Sequence, residues 1–313
     1  MKHSEELSRF YARCLAGFII LITLGVFYII RQQSNPPVPR PIIGTMRSFD
    51  IDEMSYHYAV SGEGPVVVLY PSLGRTGSDF NELVASLNGS SFRTLVIEPR
   101  GFKNEAGTKK DDITLFDYSA DIKAVLDHEN LAEDQGVFLI GHAFGNRVVR
   151  AFGSKYPKQV RSMVLLAAGT QKSKDAKHEM NQAFREIFYF FLSDAWREKR
   201  VGKVFFSDPK KVPDYWVAGW SDQISKSQVK ALNNTELGDW ERGGGGPMLV
   251  IQGADDALTP PEVSSEAIKK RLQGQVTITM IDGAGHALLP EQPDMIKDQV
   301  IRFLKGSNLS EGT

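Results

Sequence analysis

Gly136-Val137-Phe138-Leu139-Ile140-Gly141-His142-Ala143-Phe144-Gly145, with residues 147–156 behind it, decides how this chain is read. Its first half is a continuous apolar run with β-branched residues, the pattern of a strand buried on both faces. The residues after it have helical spacing. A strand that passes straight into a helix must turn sharply, and glycines without a Cβ permit such a turn. The same alternation extends outward. Residues 65–70 (Pro-Val-Val-Val-Leu-Tyr) read as another buried strand and residues 54–60 as an early edge strand. Further strands are expected at 92–97, 162–167, 248–252 and 276–281, with helices at 79–87, 117–131, 147–156 and 296–305. Alternating strand and helix implies an α/β fold, a mostly parallel sheet with helices on both faces.

The chain has 313 residues, 42% hydrophobic and 24% charged, enough to bury a full core. Its net charge of -1 provides no positive field for polyanions, so nucleic acid is not an expected partner and a small molecule is. The one cysteine, Cys14, allows neither a disulfide nor a cysteine-held metal.

Residues 14–30 carry no charge and as a helix would span roughly 26 Å, close to the thickness of a bilayer core. No small-residue cleavage site follows, so an uncleaved transmembrane anchor is expected rather than a signal peptide. Residues 1–13 form an amino-terminal tail, 31–46 a proline-rich linker, 47–306 the main domain and 307–313 a carboxyl-terminal tail. Basic residues flank both ends of the apolar run: Lys2, Arg9 and Arg13 against Arg31, Arg40 and Arg47. The shortness of the amino-terminal side favours leaving it in the cytoplasm, with the domain periplasmic or otherwise extracytoplasmic.

Between Gly169 and Gly246 the alternation stops. This aromatic-rich stretch, including Phe184, Phe188, Tyr189, Phe190, Phe191, Trp196, Phe205, Phe206, Tyr215, Trp216 and Trp220, reads as a helical cap inserted at about 170–246. Many large rings near a cleft favour an apolar ligand. Gly243 to Gly246 reads as a flexible return to the sheet.

Gly141-His142-Ala143-Phe144-Gly145, between buried strand and helix, resembles the Gly-x-Ser-x-Gly nucleophile elbow of α/β-hydrolases. Residues 47–306 resemble that superfamily, including the order nucleophile, acid, histidine, and the chain is similar to membrane-anchored bacterial members with alanine at the elbow. The resemblance implies that Asp256, in Gly253-Ala254-Asp255-Asp256, is the acid, with Asp255 as the alternative. It makes His286, in Gly283-Ala284-Gly285-His286, the site histidine. Pro71-Ser72-Leu73-Gly74 takes the place of the oxyanion loop, so the N–H groups of Leu73 and Phe144 would face a developing oxyanion. Two departures are Pro71 for the histidine and Ser72 for a glycine of that loop. Glu98-Pro99-Arg100-Gly101 is similar to a structural turn that buttresses it.

Ala143 is the decisive departure, because a methyl group cannot attack a carbonyl. An engineered serine-to-alanine replacement, a natural branch with alanine, and a pocket that only binds all remain open. With alanine in place, His286 oriented by Asp256 could act as a general base, as in cofactor-free lyases and dioxygenases of this fold. Ser72 could alternatively serve as a displaced nucleophile, and its ordinary role is a loop hydroxyl bonded to backbone. Two function classes follow: a hydrolase of small apolar esters, amides or related carbonyl compounds, or a catalytically dead membrane-tethered binding protein. No cofactor is expected. Neither His142 nor His286 has the spacing of a metal ligand set, so no metal is expected either.

Overall fold

The computed structural model describes residues 2–33, 40–103, 108, 110–132, 134–169, 178–189 and 193–309. In chain order the elements are α1 (Lys2–Gln33), β1 (Thr45–Ile51), β2 (Met54–Ser61), β3 (Val66–Tyr70), α2 (Asn81–Gly89), β4 (Arg93–Ile97), α3 (Leu115–His128), β5 (Val137–His142), α4 (Phe144–Lys155) and β6 (Val160–Leu166). Then follow α5 (His178–Glu186), α6 (Asp194–Phe205), α7 (Asp214–Val217), α8 (Asp222–Asn233), α9 (Leu237–Trp240), β7 (Met248–Gly253), α10 (Ser265–Arg271), β8 (Val276–Ile281) and α11 (Pro293–Leu309).

The strands form an eight-stranded sheet ordered β1-β2-β4-β3-β5-β6-β7-β8. β1 and β2 are antiparallel to their neighbours, and the pairs from β4 to β8 are parallel. The apolar runs are split by the pleat, since successive side chains point to opposite faces. Val68, Leu139, Leu165 and Val250 pack with Ile122 and Val125 of α3 and Val148, Val149 and Phe152 of α4. Val67, Phe138, Val164 and Leu249 pack with Leu83, Val84 and Leu87 of α2 and Ile296, Val300 and Leu304 of α11. Those helical spacings of three and four place each apolar stripe on the sheet.

Two expectations need correction. Residues 54–60 are not an edge: β1 pairs along β2 from Thr45↔Val60 to Ile51↔Met54. β1 escaped the reading because only Phe49 of its residues is even half-buried, so it has no apolar face to show. Cross-strand stacking of Phe49 on Tyr56, with centroids 4.8 Å apart, and an Arg47–Glu129 ion pair hold it instead. Second, Gly243 to Gly246 make a packed turn. Gly243, Gly244 and Gly245 all have positive φ, and a Cβ on Gly244 would lie 2.3 Å from the Gly153 oxygen of α4. Gly244 serves close approach of two backbones.

The inserted segment packs its own aromatic core, with Phe205, Phe206, Trp216 and Ile187 fully or nearly buried. Its expected start, 170–177, and Phe190 and Phe191 lie outside the described residues. α1 contains one stretch, Arg9–Phe27, long and apolar enough to cross a membrane, and none of it is buried. Its large side chains from Leu15 to Phe27 are 46% to 69% exposed. Residues 34–39 of the expected proline-rich linker also lie outside the described residues, but the end of the linker is docked on the domain. Arg40 donates to both Glu82 oxygens at 2.6 and 2.8 Å, and Ile43 N–H donates to Asn81.

Candidate active site

β5 runs into α4 through Ala143, which has φ 48° and ψ -104°. That conformation costs a residue with a Cβ on the order of 1–3 kcal/mol. The surroundings hold it there. Ala143 N–H donates to Leu166 O of β6 at 2.9 Å, and its carbonyl accepts from Asn146 N–H at 3.2 Å and from the Asn146 side-chain amide. The flanking glycines are required by contact. A Cβ on Gly141 would lie 2.5 Å from the Asn146 nitrogen, and one on Gly145 would lie 2.1 Å from the Tyr70 carbonyl oxygen at the end of β3. The bend is therefore pressed directly against the loop that follows β3.

His286 lies between β8 and α11, and its Nδ1 is 2.8 Å from Oδ2 of Asp256, which follows β7. Both are nearly buried. Asp256 accepts four further hydrogen bonds: Gln252 Nε2 at 2.7 Å, Leu258 N–H at 3.0 Å, Thr259 N–H at 2.8 Å and Thr259 O–H at 2.9 Å. Burial pushes the carboxyl upward, but the adjoining imidazole and the Thr259 donors outweigh it and hold Asp256 below the usual carboxylate range. An ionised Asp256 accepts from Nδ1–H, which leaves Nε2 as the basic nitrogen of a neutral His286 ring. Asp255 is exposed. Of the two acids weighed, Asp256 is the one joined to the histidine.

His142 is fully buried beneath this pair. Its Nε2 is 2.9 Å from the His286 carbonyl oxygen, and the two rings are 5.8 Å apart. Burial, and secondarily His286, lowers its pKa to about 4, so the ring is neutral and Nε2–H is the donor. It is a support of the loop bearing His286.

Ser72 is buried, and its carbonyl closes a turn with Arg75 N–H at 3.2 Å. No hydrogen bond joins its hydroxyl to His286 or Asp256 among the described residues. Leu73 is half-buried, and Gly74 N–H donates to Gln228 Oε1 of the cap at 2.7 Å. Phe144 is the first residue of α4, where helical N–H groups have no carbonyl one turn back to bond. Its ring packs edge-on to Tyr118 at 5.4 Å.

Two contributors, Thr259 and Arg75, escaped the sequence reading. Thr259 bridges the pair, its hydroxyl also 3.1 Å from His286 Nδ1. It lies three residues past Asp256, a spacing that signals such a turn. Arg75 is fully buried, forks onto Asp79 at 2.8 and 2.6 Å, and donates to Ala218 O and Tyr215 O of the cap at 2.6 and 3.0 Å. Its guanidinium also lies over the Trp216 and Trp220 rings. Phe205 of the cap sits 5.5 Å from the His286 ring, so aromatic rings meet the histidine directly. Among the described residues no cluster of three or more His, Cys, Asp or Glu could hold a metal ion.

Residues 65–293 match the family model described as alpha/beta hydrolase fold. The chain is 22% identical over 275 residues to 2-(acetamidomethylene)succinate hydrolase of Mesorhizobium japonicum, covering 82% of this chain and 94% of that protein. It is 26% identical over 265 residues to serine hydrolase BPHL of Mus musculus, covering 83% of each. Among solved structures, bromoperoxidase from Bacillus anthracis superposes with a TM-score of 0.69 at 18% identity, covering 83% of this chain and all of that one.

Proposed function

Since the chain belongs to the alpha/beta hydrolase fold family, we propose that it is a membrane-anchored hydrolase that acts on small apolar esters, amides or related carbonyl compounds without a covalent intermediate. One observation carries this reading: His286 remains bonded to Asp256 at 2.8 Å although Ala143 has no nucleophilic atom. A binding protein has no chemical need for that pair.

In the proposed reaction His286 Nε2 takes a proton from water as the water oxygen adds to the substrate carbonyl carbon. The carbonyl oxygen becomes negative and accepts from the N–H groups of Leu73 and Phe144. Collapse of the tetrahedral adduct breaks the bond to the leaving alkoxide or amine, which receives the proton from His286. Asp256 holds the ring in the required tautomer. Helix α1 supplies the anchor, with the domain on the extracytoplasmic side.

A second reading, a catalytically dead binding protein, is favoured by the Ala143 methyl itself. The two separate on hydrolysis of 4-nitrophenyl acetate and butyrate by the full chain in detergent. Turnover by the parent that His286→Ala abolishes supports the general-base route. Turnover only in Ala143→Ser means a scaffold lacking its nucleophile. Turnover in neither, over a broad ester and amide panel, leaves the binding reading.

A further inference from the structure

The start of the domain meets the cap at Arg40. Arg40 places its guanidinium 3.6 Å above the ring of Tyr215, in the cap, while donating to Glu82 of α2 and to Ser78 O at 3.1 Å. Tyr215 in turn offers its carbonyl to Arg75, one residue from Gly74 in the loop beside the bend. The chain therefore leaves the domain at the cap edge of the sheet, where β3, β5 and β7 end.

Covalent geometry limits how far that edge can stand from α1. Seven Cα-to-Cα steps from Gln33 to Arg40 reach at most about 25 Å. Six further helical residues past Phe27 add about 9 Å. A domain of this size is about 45 Å across. An anchored α1 thus holds the Arg40 edge within about 34 Å of the bilayer, less than the width of the domain, whereas the opposite edge, where Lys158 precedes β6, has no such tie. The rings around His286 (Phe205, with Trp216 and Trp220 behind it) suit a ligand that leaves lipid for an apolar site.

We propose that the cap face lies against the bilayer and that the site takes apolar acyl esters from the lipid phase. This rests on the anchored-hydrolase reading above. The test uses the full chain with Cys14→Ser, carrying bimane on Asp214→Cys beside Tyr215 or on Lys158→Cys, reconstituted in phosphatidylcholine vesicles with a headgroup nitroxide lipid. Both positions are exposed. Quenching at least threefold stronger at 214 than at 158 is expected. Equal or reversed quenching in protein that floats with the vesicles overturns the orientation and leaves the anchor standing, whereas protein that fails to float overturns both. For the ligand, methyl 12-doxylstearate in the vesicles should quench tryptophan emission of the Trp196→Phe protein at least twofold more than phosphatidylcholine carrying the same nitroxide. Equal quenching by the two overturns the lipid route, whether or not any ester is hydrolysed.

Discussion

His142 Nε2 lies 2.9 Å from the backbone oxygen of His286, so the strand that ends in the bend also supports the loop carrying the candidate base. The imidazole of residue 142 is neutral above pH of about 4, and its N–H is the donor across the whole physiological range. Replacing it leaves a buried carbonyl without its partner, at a cost of about 1–3 kcal/mol. His142→Leu should lose that much stability in urea unfolding at pH 8 and somewhat less at pH 6, where the unfolded parent's imidazole takes up a proton that the buried ring does not, while His142→Gln should recover part of the loss. A loss seen only below pH 6.5 would mean that the charged ring makes the bond, contrary to this account.

The bend makes a prediction of opposite signs at neighbouring positions. Ala143 holds a positive φ that glycine adopts at no steric cost, so Ala143→Gly should relieve about 1–3 kcal/mol of strain against about 0.5–1 kcal/mol of chain entropy. A net gain of about 1 kcal/mol is expected. Gly141→Ala and Gly145→Ala should instead lose at least about 3 kcal/mol, because the new Cβ meets backbone atoms 2.5 and 2.1 Å away that cannot swing aside. Thermal denaturation of the three variants decides the matter, and a stabilised Gly145→Ala would contradict the close approach of the bend to Tyr70.

The bend, the Asp256–His286 pairing and the parallel strands were legible because each leaves a local mark: glycines at fixed spacing, a Gly-x-x-Asp segment after a buried strand, and runs such as Val66 to Tyr70. β1 left no mark, since its residues are exposed and pairing with β2 supplies its order. The packed turn at Gly243 to Gly246 was misread for a related reason. Glycine repeats look alike whether they provide freedom or make room, and only the position of Gly153 on α4 tells them apart. Arg75 was invisible as a site element because its partners, Tyr215 and Ala218, lie 140 or more residues away in sequence.

That arginine is itself testable. With Asp79 it forms an ion pair in which neither side chain is more than 1% exposed, and it spans body and cap. Arg75→Met would leave Asp79 buried and unpaired, which typically costs about 3–5 kcal/mol. The double variant Arg75→Met/Asp79→Leu should regain most of this in urea unfolding, since removing both charges removes the desolvation penalty. Proteolysis of the double variant should nonetheless cut the cap faster than in the parent, because the bonds to Tyr215 and Ala218 stay lost. A double variant no more stable than Arg75→Met would show that the arginine's bonds to the cap, rather than the stranded carboxylate, set the cost.

Glu98 gives the chain a pH dependence above neutrality. Burial, only partly offset by the Gly77 N–H that donates to both its oxygens at 3.2 Å, raises its pKa from 4.5 to about 8. The folded state therefore keeps a proton that the unfolded chain releases near 4.5. Its stabilising contribution is complete below that value and is lost as pH rises toward 8, by up to about 1.4 kcal/mol per unit. His57 and His142, both held below 6.5 chiefly by burial, act in the opposite sense, and their unfolded-state rings are still half protonated at pH 6.5. Comparing the parent with Glu98→Gln over pH 6.5 to pH 8 isolates the glutamate, because the histidines are the same in both. In urea unfolding the parent should lose about 1.5 kcal/mol more across that interval than Glu98→Gln, which keeps an acceptor for Gly77 but carries no proton to release. A parallel decline in the two proteins would place the titrating group elsewhere and leave Glu98 ionised in its buried position.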